Sequence, residues 1–351
     1  MDRSDFETAF DWQVRACRIY ASEIYARLME RCLDDLRAGG PVATLAERWA
    51  GPHPLQGLFP LRLAAAVHRI VLAGGAPDLA GHYPTAGGTP RWPAAADLFI
   101  AVVAAHLDAL GDQLDRFPQT NEVARCGALL AAFLPLARMP LRLWELGASA
   151  GLNLNWDRYR FELGSFRWGS PASAVRIRAE TSGGPPRGPA HDAVEIESRA
   201  GCDLSPIDAT SEDEAERLCS YVWPDRPQRL ATLRAAIDVA RRHPPRLARA
   251  DAADWLAERL AADPPDGVRR VVYHSAVWPY LEESKRLHIE RMLTRAGRCA
   301  DARTPLAWAR LEHEGEPLTL RVRTWPGDVE RRLAETHPHG HRVRWLPQKT
   351  P

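Results

Sequence analysis

Hydrophobic residues in the first 140 positions follow the spacing of amphipathic helices. Between residues 6 and 28, apolar side chains recur every three or four positions, and the pattern stops at Gly39-Gly40. Three further segments with this spacing follow: LRLAAAVHRIVLAGG, AAADLFIAVVAAHLDALGDQLDRF and NEVARCGALLAAFLPLAR. We therefore predict an all-helical N-terminal domain over residues 1–139.

The pattern changes at Pro140, where short apolar runs begin to alternate with helical segments. The runs LRLWELG, AVRIRAE, AVEIESRAG, GVRRVVYHS, PLAWARLEHE, LTLRVRTWP and HRVRWLP have the length and composition of strands. Alternating strands and helices are typical of a mostly parallel, doubly wound sheet, here with strand-strand pairing at the C-terminal end. The sequence thus predicts an α/β domain over residues 140–351.

Composition excludes several classes of function. The chain has 351 residues, is 45% hydrophobic and carries a formal net charge of +1, so neither nucleic acid nor an anionic membrane is an expected partner. No apolar run approaches the roughly 20 residues that span a bilayer, and the N-terminus is polar. The six cysteines are scattered without a C-x-x-C pair. We expect a soluble cytoplasmic protein with a small-molecule partner; the oligomeric state is not indicated.

The stretch LRLWELGASAGLNLNWDRY allows two interpretations. Gly147, Ser149 and Gly151 form G-x-S-x-G, the nucleophile elbow of serine hydrolases. With Glu145 they form E-x-G-x-x-x-G, typical of a glycine loop that leaves a strand, enters a helix and binds a nucleotide. An elbow normally follows several strands and an H-G-G loop, whereas this one follows the first predicted strand. The nucleotide interpretation also accounts for Glu145, and we favour it.

Four segments in order resemble the motifs of class I S-adenosylmethionine-dependent methyltransferases over about residues 140–350. They are WELGASAG, RAGCDLSPID, ARADAADWL and RRVVYHSAVWPYL. The resemblance implies a Rossmann-like methyltransferase-type doubly wound sheet and S-adenosylmethionine as cofactor. The cofactor-binding residues that it implies are Glu145, Gly147, Ser149, Gly151, Asp203, Asp251 and Ala252. In this scheme Asp203 holds the ribose, and Asp251 and Ala252 flank the adenine.

The chain departs from that pattern at two points. Ser149 stands where the usual motif has its second glycine, and the stretch from Gly151 to Asp203 is longer than one helix and one strand require. We predict an insertion near residues 162–193 that includes a hairpin. The whole chain, including QTNEVARCGALL and GCDLSPID, also resembles an uncharacterised bacterial family, a domain of unknown function.

Further candidate residues lie outside the cofactor motifs. His274, at the end of the fourth strand, and Glu122 are candidate catalytic residues, because a base there could take a proton from the methyl acceptor. The alternatives are a buried structural histidine and a helix-capping role for the polar segment FPQTNEVAR. Candidate substrate-binding residues are Gln119, Asn121, Arg125, Asn153, Trp278 and Tyr280.

The segment HPHGH brings His337, His339 and His341 close together in sequence. Alternate residues of a strand share a face, which would allow a metal site, but Pro338 and Gly340 favour a turn and no metal is predicted. The function that the sequence favours is methyl transfer from S-adenosylmethionine to an unknown small-molecule acceptor. The alternatives are a non-catalytic binding or regulatory protein on a degenerate methyltransferase fold, and a serine hydrolase that uses Ser149.

Overall fold

The computed structural model describes residues 2–115, 117–315 and 317–347, which form two compact units. The first holds the N-terminal residues through Thr120 together with Glu212–Ala231, and the second holds Asn121–Ser211 and the described residues from Thr232 onwards. The helices are α1 Arg3–Ile19, α2 Glu23–Arg37, α3 Pro41–Glu47, α4 Phe59–Leu72, α5 Pro77–Ala80, α6 Ala94–Ala105, α7 Leu107–Leu114, α8 Cys126–Leu136, α9 Glu212–Ser220, α10 Pro227–Arg242, α11 Ala252–Ala261 and α12 Glu283–Arg298.

The first unit is a helical assembly whose core is formed by the apolar faces predicted from the sequence. Phe59 of α4 packs edge-on against Phe6 and Phe10 of α1 and against Trp49. Every regular element described before the first strand is helical, as predicted. The stretch 121–139, grouped with these helices in the sequence, folds with the second unit and contains α8.

Two long predicted helices are each broken into two. The helix expected to run up to Gly39 is interrupted between α1 and α2, where Ala21 has a φ of 53°. Helices α6 and α7 meet at a bend of 88°. Within the described residues, no single helix has both the length and the apolar character needed to cross a membrane; only α6 and α7, counted as a bent pair, pass that test.

The second unit is built on one sheet of eleven strands. The strands are β1 Leu141–Leu146, β2 Arg160–Leu163, β3 Phe166–Trp168, β4 Arg176–Ser182, β5 Ile196–Asp203, β6 Arg246–Arg249, β7 Arg269–Ser275, β8 Leu306–His313, β9 Leu318–Trp325, β10 Val329–Thr336 and β11 Arg342–Trp345. Their order in the sheet is β3-β2-β4-β11-β10-β9-β8-β7-β1-β5-β6. The expected mixed α/β fold with a large, mostly parallel sheet is confirmed.

The direction in which the chain fills the sheet reverses between β1 and β7. Strands β5 and β6 extend the sheet on one side of β1, and β7 and β8 extend it on the other, with all five strands parallel. In open α/β sheets, ligands bind outside the carboxyl ends of the strands at such a point. The loop that carries Gly147 and the strand ends that carry Asp203 and His274 therefore lie at the edge where a ligand site is expected.

The connection from β1 to β5 differs from the usual helical crossover. Between these strands the described chain forms short 3-10 turns and β2, β3 and β4, and no α-helix. The glycine loop enters a 3-10 segment, Leu152–Arg158, so the predicted helix after this loop is wrong. The expected hairpin is present as β2 and β3, but it extends the sheet beyond β4, at the edge far from β1. This detour explains the long separation of Gly151 and Asp203.

Helices cover the two faces of the sheet differently. Helices α11 and α12 pack on the face that contains Trp144 and Val272, and Phe133 of α8 packs against Tyr273 on the opposite face. Successive residues of a strand point to opposite faces, so Glu145, paired in register with Tyr273, lies on the α8 side. His274 therefore points to the α11 side.

We predict that Gly151→Ala destabilises the fold more than Gly267→Ala. Both glycines have positive φ, 65° and 71°, so alanine should cost about 1 kcal/mol at either position. A Cβ at Gly151 would lie 2.8 Å from Cγ of Pro245, whereas a Cβ at Gly267 meets no atom within 4 Å. Overpacking should add about 1–3 kcal/mol at Gly151 alone. Urea unfolding of both variants measures the difference, and equal losses would contradict the packing argument.

Candidate functional site

The glycine loop after β1 is a tight turn in which three residues have left-handed backbone conformations. Gly147 and Gly151 each have a φ of 65°, and Ser149, between them, has a φ of 53°. A Cβ at Gly147 would lie 2.5 Å from Cγ2 of Val277, in the loop after β7. The glycines are therefore required by packing against neighbouring loops of the same unit as well as by backbone conformation.

Asp203, the last residue of β5, anchors this loop. Its Oδ2 accepts a hydrogen bond from the Ser149 N–H at 2.9 Å, and its Oδ1 accepts one from the Ser205 N–H at 2.9 Å. The carbonyl of Ser149 in turn accepts the N–H of Ile207 at 3.1 Å. The N–H of Ser149 is thus bound to the last residue of β5 and its carbonyl to the segment that follows, which fixes the glycine loop over the carboxyl end of β5.

The hydroxyl of Ser149, unlike its N–H and its carbonyl, makes no hydrogen bond to the described residues. Its Oγ is buried and has no hydrogen-bond partner among the described residues. The residue as a whole is 6% exposed. A buried hydroxyl without a partner and a left-handed backbone both cost free energy, and here they coincide at one residue of the candidate site.

Glu145 lies beneath the loop with its carboxyl group buried on the α8 face. The Tyr273 hydroxyl donates to Oε2 of Glu145 at 3.1 Å, and the Asn153 side chain is also hydrogen-bonded to it. The Cys126 thiol donates to the Asn153 amide oxygen at 3.2 Å, which leaves the amide nitrogen to face Glu145. Burial, opposed by these hydrogen bonds, raises the pKa of Glu145 to about 8, and the charge of Asp203 contributes in the same direction.

The segment TNEVAR does not cap α8, so the capping interpretation is wrong. The N-cap of that helix is Arg125, and no side chain caps it. The Asn121 side chain instead accepts the N–H of Leu152, just after the glycine loop, at 3.0 Å. The Arg125 guanidinium donates to the main-chain carbonyls of Ser275 and Pro338 at 3.1 and 3.0 Å. The segment therefore ties the glycine loop, the end of β7 and the HPHGH turn together.

The HPHGH segment forms the predicted turn. The Gly340 N–H donates to the His337 carbonyl at 2.8 Å, and the ring centroids of His337 and His341 lie 3.9 Å apart. A Cβ at Gly340 would lie 2.5 Å from the backbone of Ala124, so the turn packs tightly on the TNEVAR segment. Among residues 2–115, 117–315 and 317–347, no group of three or more His, Cys, Asp or Glu side chains could hold a metal ion.

His274 forms a buried pair with Glu312, a residue that the sequence did not indicate. Nδ1 of His274 lies 2.6 Å from Oε1 of Glu312. The Glu312 carboxylate also accepts the N–H groups of Val277 and Trp278 at 3.0 and 3.2 Å. The Trp278 indole stacks on the imidazole with ring centroids 4.5 Å apart. The sequence shows Glu312 only as an acidic residue near the end of a predicted strand. Its contact with His274 depends on how that strand pairs with its neighbour, which the sequence does not reveal.

The structure does not assemble Ser149 and His274 into a catalytic triad. Ser149 is bonded to the end of β5, whereas His274 lies on β7 and bonds to Glu312 of β8. Strand β1 lies between β5 and β7, and neighbouring strands are about 4.8 Å apart. Neither the Ser149 hydroxyl nor Nε2 of His274 has a hydrogen-bond partner in the described chain. The geometry gives the hydrolase alternative no support.

The remaining candidates are dispersed, and their predicted roles stay predictions. Asp251 is the N-cap of α11 and pairs with Lys285 at 2.7 Å, and Ala252 is buried in the first turn of that helix. Tyr280 is 77% exposed after β7. Gln119 belongs to the first unit. The structure thus brings Asn121, Arg125, Glu145, Ser149, Asn153 and Asp203 together around the glycine loop.

These observations define the class of the protein. It is an α/β protein with a mostly parallel sheet and a glycine loop at the switch point, where the order of the strands reverses. The chain belongs to a family described as "Uncharacterized protein conserved in bacteria (DUF2332)", whose model matches residues 7–345. The resemblance to an uncharacterised bacterial family is thereby confirmed. No curated protein and no solved structure matches the chain.

The buried carboxyl group of Glu145 predicts a pH-dependent stability. Its folded-state pKa of about 8 lies above the ordinary 4.5, so the folded protein keeps a proton that the unfolded chain loses. The contribution is complete below pH 4.5 and declines as the pH rises to about 8, by up to about 1.4 kcal/mol per pH unit. Glu145→Gln, which resembles the protonated acid, should flatten the profile of unfolding free energy between pH 5 and 8.

Glu197→Gln is the matched control for that experiment. A hydrogen bond from Arg142 lowers the pKa of Glu197 to about 2, so this group is ionised in both states above pH 5 and should leave the slope unchanged. An unaltered slope in Glu145→Gln would show that Glu145 is not the group responsible.

Glu312→Gln should loosen the loop after β7. The amide has one acceptor oxygen in place of two, so it cannot serve His274, Val277 and Trp278 together. Loss of a hydrogen bond to a charged group, about 1.5–3 kcal/mol, should speed amide exchange at residues 277 and 278 about ten- to a hundredfold. Hydrogen exchange measures this, with Glu47→Gln, exposed on α3, as the control. Unchanged exchange would mean that other contacts hold the loop.

Proposed function

We propose that the carboxyl edge of β1 and β5 binds S-adenosylmethionine and that the protein transfers its methyl group to a small-molecule acceptor. One observation carries the proposal. The sheet reverses direction between β1 and β7, and the tight glycine loop and Asp203 are hydrogen-bonded to each other beside this point. A Rossmann-like fold of the methyltransferase type has its cofactor site in this position, and the five parallel strands run in the corresponding order, β6-β5-β1-β7-β8.

The residues present fit the cofactor in chemistry, with one restriction. A ribose needs acceptors for its hydroxyl groups, and the Asp203 carboxylate, which accepts the N–H groups of Ser149 and Ser205, is an acceptor of that kind. Asp203 would therefore hold the ribose with the same oxygens that hold the loop. Glu145 is hydrogen-bonded to Tyr273 and Asn153 in the interior, so the fit does not require it as a ribose ligand.

The chain's own contribution would be mainly positional. When bound, S-adenosylmethionine supplies an activated methyl group, and the protein aligns donor and acceptor and excludes water. The loops after β5 and β7 would supply the walls of the site. Within that scheme Asp203 orients the cofactor, and Trp278, stacked on His274, shapes the side on which the acceptor enters.

A second candidate function is non-catalytic ligand binding on the same fold. The 3-10 segment after the glycine loop favours it, because that segment replaces the helix whose N-terminus would face the ligand. The two candidates share the ligand site and differ in whether a methyl group is transferred.

Calorimetric titration with S-adenosylmethionine and S-adenosylhomocysteine tests the proposal. We expect saturable binding with about one site per chain, and transfer of labelled methyl groups in an acceptor screen. Asp203→Asn keeps an oxygen for the Ser149 N–H but loses a charged acceptor, so affinity should fall about ten- to a hundredfold.

Asp266→Asn provides the matched control. Asp266 precedes β7 at the opposite, amino edge of the sheet and accepts a hydrogen bond from Nε of Arg303 at 2.8 Å, so its substitution should leave affinity unchanged. No heat and no thermal shift with millimolar ligand would contradict the proposal. Binding without transfer to any acceptor would favour the second candidate.

A further inference from the structure

Ser149 combines the backbone hydrogen bonds that anchor the loop with two features that the fold itself does not require. It has a φ of 53° and lies between Gly147 and Gly151, which have the same left-handed backbone conformation. Its hydroxyl is buried without a partner among the described residues. Its N–H is hydrogen-bonded to Asp203 at the end of β5, and its carbonyl to Ile207 in the segment that follows. Glycine would satisfy the same backbone bonds without strain and without burying a hydroxyl.

The position of the hydroxyl limits what it could bind. The backbone nitrogen of Ser149 lies 2.9 Å from Oδ2 of Asp203, and Oγ is three bonds from that nitrogen. The hydroxyl and the carboxylate are therefore neighbours, yet no hydrogen bond joins them. The residue keeps 6% exposure, and rotation about its Cα–Cβ bond between staggered positions moves the hydroxyl without moving the anchored backbone.

A hydroxyl and a carboxylate side by side suit a ligand with two adjacent hydroxyl groups. The carboxylate only accepts hydrogen bonds, whereas the serine hydroxyl both donates and accepts. A vicinal diol presents two groups that each donate and accept. One of its hydroxyls would donate to Asp203, and the other would exchange a hydrogen bond with Ser149.

We infer that Ser149 is a specificity-determining residue that, together with Asp203, recognises the vicinal hydroxyl groups of a ribose. This inference rests on the proposed function and deepens it, since it assigns the serine that replaces a glycine to the sugar of the nucleoside ligand. The unpartnered hydroxyl and the left-handed backbone are then features retained for binding.

A thermodynamic cycle between one protein hydroxyl and one ligand hydroxyl tests the inference. S-adenosylhomocysteine and its 2′-deoxy and 3′-deoxy analogues are titrated into the wild-type protein and into Ser149→Ala. We expect that removal of one ribose hydroxyl weakens binding to the wild type about fivefold more than binding to Ser149→Ala. The extra factor should appear for only one of the two analogues, because a single serine hydroxyl can meet only one of them.

Two further variants separate recognition from structure. Ser149→Gly removes both the hydroxyl and the strain, so it should unfold at a temperature no lower than the wild type and still bind several-fold more weakly. Ser205→Ala removes an exposed hydroxyl close to Asp203 and should leave the cycle unchanged.

The outcomes distinguish this inference from the proposed function. If S-adenosylhomocysteine binds but the cycle is additive for both analogues, the Ser149 assignment is overturned while the cofactor site stands. Tighter binding by Ser149→Gly would show that the side chain obstructs the site, and would also overturn the assignment. If the wild type binds no nucleoside ligand, the proposed function and the inference both fail.

Discussion

The hydrogen bond between the Asp203 carboxylate and the Ser149 N–H is the interaction on which the arrangement of the candidate site depends. It joins the turn after β1 to the end of β5, although the chain between them passes through strands β2 to β4 at the far side of the sheet. No helix after the glycine loop holds that loop in place, because a 3-10 segment follows it. The side chain of Asp203 therefore holds the glycine loop in place, as a crossover helix does in other parallel sheets.

Asn121 and Arg125 complete that anchoring from the α8 side. The first binds the N–H of Leu152, where the 3-10 segment begins, and the second binds the carbonyls at the end of β7 and in the HPHGH turn. Polar residues that the sequence grouped as a candidate substrate edge thus bond to the backbone of neighbouring segments. A ligand at the switch point would meet a loop whose conformation is already fixed, which reduces the entropy lost on binding.

Local patterns predicted most of the elements but not the way in which they are joined. The short apolar runs at β1, β7 and β8 and the periodic helices are visible because burial imposes a period on the sequence. Strand β10 was missed because its first residues, Val329 to Arg332, are exposed and mostly charged. The break at Ala21 was missed because no glycine or proline marks it.

The candidate site could be predicted only in part, because local patterns reveal the ends of strands but not how the strands pair or which face a helix covers. Residues in the glycine loop and at strand ends are recognisable, because parallel strands bring their carboxyl ends to one edge. Glu312 was not recognisable, because its bond to His274 depends on the register of β7 against β8. Nor could the interior location of the Glu145 side chain be predicted, since the sequence does not state which face α8 covers.

The alternation of side chains along β1 and β7 limits the chemistry available to a ligand at this edge. Glu145 and Tyr273 form their hydrogen bond on the α8 face, whereas His274 bonds to Glu312 on the opposite face. These two pairs cannot act on one reacting atom, because the sheet separates them. A reaction that needs a concerted acid and base from both pairs is therefore poorly served here.

Group transfer places fewer demands on the protein, because the donor carries the reactive group and the chain has only to hold donor and acceptor in line. If the proposed ligand binds, the anchored loop with Ser149 and Asp203 would provide that kind of support.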